Sequence, residues 1–159
     1  LNPVSWVLNL LSILLKVDLY KTLFVLICMR GKKKEDLANA SKRYYNFLLE
    51  NRMKYLNHSL LKCLKYLKKL GVKIVLITAS LDLIANNFMN LGFDVIVSSR
   101  THYMKGRLNN FTDLYLKKNR FIKLLSKHFN KVIVIEDSPE PEYHLISNVR
   151  VFHVKNSRV

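Results

Sequence analysis

The sequence predicts an α/β fold: helices alone over residues 1–70, then strands and helices in alternation over 71–159. Three observations carry this expectation. Val72-Lys73-Ile74-Val75-Leu76-Ile77 is an almost unbroken β-branched and aliphatic run that stops abruptly at Thr78-Ala79-Ser80. Such a run suits a strand buried on both faces, as in a parallel sheet covered by helices. Lys131-Val132-Ile133-Val134-Ile135 repeats the pattern and ends in Glu136-Asp137-Ser138. Amphipathic segments at helical spacing lie between these runs, and strand–helix alternation is the mark of parallel sheets with right-handed crossovers. At 159 residues, half of them hydrophobic, the chain is long enough for one domain with a proper core.

Residues 4–15 and 17–29 read as two very apolar helices. Arg30-Gly31-Lys32-Lys33-Lys34 closes the second, placing Gly and cations where a helix C-terminus favours them. From Glu35 to about Asn51, Leu37, Ala40, Tyr44, Phe47 and Leu48 recur at helical spacing and mark the expected inner face. Asn57 or Ser59 caps the next helix, with Leu60, Leu61, Leu64 and Leu67 inward and a Lys stripe outward. Leu70-Gly71 ends it. After the strand over Val72–Ile77 comes a helix over 81–91 with Gly92 as C-cap, and a second short strand over Asp94–Ser99. Arg100 to Asp113 reads as an irregular polar stretch containing Lys105-Gly106-Arg107. A helix over 117–129, the strand ending at Glu136 and a last strand over 149–154 complete the chain.

The formal charge of +16 suits a nucleic acid, an acidic protein or an anionic membrane as partner. Lysines spread over most of the chain also read as plain composition bias. Cys28 and Cys63 sit in apolar contexts without metal spacing, so buried free thiols in a reducing, cytoplasmic setting are expected. No secretory signal is evident. Lys16, Asp18 and Lys21 interrupt the apolar region 3–29, leaving uncharged runs shorter than the roughly 18–20 residues a membrane crossing needs. Two buried or interfacial helices fit that region, with attachment to a membrane surface as the alternative to packing. Leu1 is not an initiator Met, so further residues are expected ahead of it.

The chemistry is expected where the two apolar strands end. Thr78, Ala79 and Ser80 would offer hydroxyls and backbone N–H groups to an anion at a helix start. A Lys from the intervening segment and the carboxylate of Asp137 would complete a site for phosphate and Mg²⁺, if the strands are neighbours in one parallel sheet. Each element alone is weak, since an Asp after a strand is usually an N-cap. The ordered combination has weight.

That combination resembles the haloacid dehalogenase superfamily, in its phosphoserine-phosphatase-like branch with a helical cap. Val72–Ser80 looks like the second motif of that family, a strand ending in Ser or Thr. Lys117-Lys118-Asn119-Arg120-Phe121-Ile122 resembles the third, with Lys118 as the motif lysine; Lys105-Gly106 is the alternative. Val132–Ser138 resembles the fourth, with Glu136-Asp137-Ser138 where Gly-Asp-Ser is usual. The resemblance implies a Rossmann-like parallel core over 71–159 under a helical cap over 1–70. It also implies a Mg²⁺-dependent phosphatase acting on a phosphorylated small molecule. Thr78, Ala79 and Ser80 with Lys118 would bind the phosphoryl group, Thr78 and Lys118 serving catalysis; Asp137, with Glu142 in the longer spacing or Glu140 outside it, would hold the metal. One part is missing. The first motif of the family, a central strand ending in Asp-x-Asp that carries the nucleophile, has no counterpart, and the degenerate Asp18…Thr22 reads rather as a helix-start turn. The expectation is a truncated or inactive scaffold, or alternatively a non-catalytic basic binding module.

Overall fold

The computed structural model describes residues 3–15, 17–51, 56–136 and 141–154, with side chains from Leu8 onward. The architecture is mixed α/β, in two compact units, Leu1–Tyr115 and Leu116–Val159. Residues 70 and 71, the expected cap–core junction, lie within the first unit.

In the first unit, α1 (Pro3–Leu15) is followed by α2 (Leu19–Phe24), which runs directly into a single π-helical turn, Val25–Met29. Asp18 caps α2: its Oδ1 accepts the Lys21 N–H at 3.0 Å, and Thr22 Oγ1 donates to the Asp18 carbonyl at 2.8 Å. The helix-start reading of Asp18…Thr22 is thus the one its geometry fits. α3 (Lys34–Glu50) carries Glu35 and Asp36 in its first turn, where the helix dipole favours anions. α4 (His58–Lys69) is capped by Asn57, whose side chain accepts the Leu60 N–H at 2.9 Å. Leu60, Leu61, Leu64 and Leu67 form its less exposed stripe, as their spacing predicts.

The inner face of α3 differs from the expected one. Leu37, Ser41 and Tyr45 are buried, whereas Ala40, Tyr44 and Phe47 are exposed. The face is turned because Ser41 is wanted inside: its hydroxyl donates to the Leu83 carbonyl and accepts Asn87 Nδ2 at 2.6 Å. Tyr45 then meets Phe88 edge-on, with ring centroids 5.4 Å apart.

β1 (Val75–Leu81) pairs in parallel with β2 (Val95–Met104), Val75 opposite Val95 and Ile77 opposite Val97, with a bulge between Ile77 and Leu81. Asp94 fastens the start of this pair, accepting the Ile74 N–H at 2.8 Å and facing Lys68 Nζ at 3.3 Å. The single helix expected over 81–91 is instead one α-turn, α5 (Asp82–Ala85), and a 3₁₀ segment, Asn86–Leu91. Asn87 explains the change: its side-chain amide donates to the Leu83 and Ile84 carbonyls at 3.1 and 3.3 Å, competing with the backbone for them. Gly92, at φ +106°, ends the segment in the left-handed region, as expected.

A second correction concerns Arg100–Asp113, which is a β-hairpin and not an irregular stretch. β2 continues to Met104 and returns as the antiparallel β3 (Arg107–Thr112). Lys105 and Gly106, at φ +49° and +73°, form a two-residue turn of the type that matches strand twist. Lys stands where Asn or Asp would have announced the turn. The hairpin is tied to the α2–α3 connection, since Gly31 N–H donates to Leu108 O at 2.8 Å and Lys34 N–H to Gly106 O at 2.9 Å. Val25, Met29, Leu37, Leu81 and Leu108 form the core beneath.

The second unit contains α6 (Lys118–His128), β4 (Val132–Glu136), a 3₁₀ segment (Pro141–Leu145) and β5 (Val149–His153). β4 and β5 are parallel, with Val132 opposite Val149, around a core that includes Ile122 and Tyr143. Among the described residues the strands form two sheets, ordered β1-β2-β3 and β4-β5, where one parallel sheet is expected from sequence. Both cysteines are exposed, contrary to expectation. Cys28 lies on the outer side of the π-turn that buries Val25 and Met29, and Cys63 stands outside the leucine stripe of α4. Among the described residues, no helix is long and apolar enough to cross a membrane.

The hairpin turn gives a direct check. Gly106→Val forces a β-branched residue into the left-handed region and should cost about 1–2 kcal/mol in urea unfolding. Lys105→Asn, which suits that region, should leave stability equal or higher.

Candidate phosphate site and the ion pair behind it

Thr78, Ala79 and Ser80 lie within β1, in its bulge, and not between a strand end and a helix start. The helix that follows is a single turn whose N-cap, Leu81, makes no side-chain cap bond. A strong helix dipole is therefore absent, and an anion here depends on hydroxyls and cations. Thr78 Oγ1 accepts the Ser80 N–H at 3.2 Å, bending the bulge so that Ser80 is exposed and Thr78 half-buried. Both residues, with Asn57, line a mostly apolar cleft of about 280 Å³, with Leu60, Leu64, Leu76 and Phe88 among its walls. Ala79 contributes in a different way. Its carbonyl accepts from Lys21 Nζ at 2.7 Å and from Ser99 Oγ at 2.8 Å, which fixes the bulge from beneath.

These donors belong to a network that sequence reasoning missed. Lys21 reaches inward from α2 and forms an ion pair with Asp113; the two side chains are 12% and 7% exposed. Asp113 also accepts the Asp18 N–H at 3.0 Å and the Tyr115 N–H at 3.1 Å, while Ser99, fully buried, accepts the Leu114 N–H at 3.0 Å. Burial opposes the charge on Asp113. The Lys21 ammonium and the two backbone N–H groups more than offset that, so its carboxyl titrates below the usual range. A signal existed: an ammonium inside an apolar run must find a partner or leave the interior. Nothing local identified Asp113 as that partner. Asp82 is satisfied separately, accepting Thr101 Oγ1 at 2.6 Å and the Leu83 N–H at 2.8 Å.

In the second unit Lys118 opens α6, and its Nζ forms an ion pair with Glu136 Oε1 at the carboxyl end of β4. Asp137, Ser138 and Glu140 lie outside the described residues, and Glu142 is exposed in the 3₁₀ segment. Lys105 occupies the hairpin tip. The last β1–β2 pairing is Leu81 with Ser99, so six further residues carry the strand about 20 Å past the bulge. That position does not serve Thr78. Among the described residues, no three His, Cys, Asp or Glu side chains gather into a metal-binding group. No protein-family model matches this chain, and no curated protein or solved structure shows significant similarity to it.

The ion pair is testable. Lys21→Met leaves the Asp113 carboxylate buried without its cation and should cost about 3–5 kcal/mol in denaturant unfolding. A Lys21→Met/Asp113→Leu double variant should recover part of that loss. Folding lowers the Asp113 pKa. Its contribution is therefore full above the unfolded carboxylate value of about 3.9 and vanishes as pH falls through the lower folded value. Asp113→Asn should flatten this acid limb of the stability profile.

Proposed function

We propose that this chain is the scaffold of a Mg²⁺-dependent phosphate-monoester hydrolase of the haloacid dehalogenase type, with no nucleophilic aspartate among its own residues. The observation that supports this most is the Lys118–Glu136 ion pair. It brings the lysine of the third motif to the end of the strand that resembles the fourth, one residue before Asp137. Lys105, the alternative motif lysine, is taken up by a hairpin turn.

In this reading the Thr78 hydroxyl and the backbone N–H groups of the Thr78–Ser80 bulge are the phosphate donors of the first unit. In the second unit an entering phosphate competes with Glu136 for the Lys118 ammonium. Asp137 and Glu142 would hold the metal; carboxylate oxygens are the hard donors Mg²⁺ prefers, and water fills its other positions. The metal would supply charge neutralisation at the transferring group. A mostly apolar parallel strand is usually flanked on both sides, and among the described strands β1 has one neighbour. A strand bearing the nucleophile would occupy that edge.

The chain itself should leave aryl phosphates unhydrolysed with Mg²⁺ while still binding inorganic phosphate. Backbone NMR should show saturable shifts at Thr78 and Ser80 in the first unit and at Lys118 in the second. Thr78→Val and Lys118→Ala should each weaken about tenfold the binding read in their own unit, as loss of a charge-assisted hydrogen bond does. Lys105→Ala should leave it unchanged. Absence of saturable, Mg²⁺-dependent shifts at these residues would overturn the reading.

A further inference from the structure

Much of the apolar surface from α1 to the π-turn faces outward, although Val25 and Met29 are buried. Among the described side chains of α1, Ser12 is buried, at 3% exposure, held by bonds to the Leu8 carbonyl and the Leu19 N–H. Leu11, Ile13, Leu14 and Leu15 are exposed, and on the adjoining α2 and π-turn so are Phe24 and Ile27, the last at 78%. A soluble surface rarely leaves so many large aliphatic side chains together uncovered.

Two of the charges that interrupt this region in sequence, Asp18 and Lys21, are engaged within the protein. Lys21 points inward to Asp113, and Asp18 is spent capping α2; Lys16 lies outside the described residues. At the end of the apolar stretch stands a cluster of exposed cations: Arg30, Lys32, Lys33 and Lys34. The hairpin adds Lys105 and Arg107 to it, because Lys33 and Arg107 form a β-bridge and Arg107 Nη1 donates to Gly31 O at 2.8 Å. Met104, exposed at 62%, accompanies them at the tip. Nonpolar side chains beside a compact basic cluster match the two layers of an anionic bilayer surface, acyl boundary and headgroup phosphates.

We propose that α1, α2 and the π-turn dock on an anionic lipid surface, with the Arg30–Lys34 step and the hairpin tip binding lipid phosphates. This attachment is peripheral, and it does not depend on the phosphatase reading. The cations draw the protein to the headgroups, and Leu14, Phe24 and Ile27 enter the interface. Lys105 thereby has a use at the place where the structure puts it.

The test is co-sedimentation of the full chain with vesicles of phosphatidylcholine alone and of phosphatidylcholine mixed with phosphatidylserine. Binding should require phosphatidylserine and weaken as salt rises. Leu14→Glu/Ile27→Glu should reduce partitioning at least tenfold, with folding checked by circular dichroism. Lys32→Gln/Lys33→Gln/Lys105→Gln should do the same and remains informative if the first variant misfolds. Lys62→Gln/Lys65→Gln/Lys69→Gln removes equal charge from the outer face of α4 and should leave binding intact. The proposal is overturned if the wild type stays in the supernatant, or if the α4 control loses as much as the hairpin-side variant. It also fails if the apolar face mediates a dimer that does not pellet with vesicles.

Discussion

A lysine inside an apolar run is the constraint on which the first unit depends. Lys21 cannot remain charged among leucines without a counter-ion, and desolvating an ion pair is worthwhile only when its remaining hydrogen bonds are also satisfied. The fold meets both conditions by bringing Asp113, after β3, to α2, and by adding the Ala79 carbonyl and Ser99. One interaction thus joins α2, the bulge of β1, the middle of β2 and the exit of the hairpin. It also removes charge from the outer side of α2. The apolar exterior and the fixed bulge are two consequences of the same pair.

The bulge bears on function because it changes what Thr78 and Ser80 can offer. In the sequence they stand before a helix whose dipole would favour an anion. In the structure that helix is one turn long, so under the proposed reading an anion would rest on hydroxyls and bulge N–H groups. In the proposed reading Lys118 is the link to phosphate chemistry, and the structure pairs it with Glu136 at the end of β4.

Strong local patterns were legible in the sequence. The leucine stripe of α4, the Asn57 cap, Gly92 at the end of the 3₁₀ segment and both apolar strands follow from spacing and capping chemistry. What escaped depends on partners distant in sequence or on side chains competing with the backbone. The face of α3 turned because Ser41 meets Leu83 and Asn87, which no period in residues 34–50 can reveal. The hairpin was hidden by Lys105 at a turn position that usually announces itself with Asn. The strand lies where expected, but both its ends differ: it begins at Val75 instead of Val72, and a bulge extends it through Thr78–Ser80 to Leu81. At the candidate site, residue types were readable, whereas Lys21, Asp113 and Ser99 are connected only by folding.

The central claim, a phosphate-transfer scaffold lacking its nucleophile, is tested most directly by turnover after the nucleophile is supplied. The measurement is Mg²⁺-dependent hydrolysis of an aryl phosphate by this chain with a peptide strand ending in Asp-x-Asp added to it. The account predicts that the added strand confers turnover that Lys118→Ala abolishes. A strand that binds the folded chain, yet gives no Mg²⁺-dependent turnover, would contradict it.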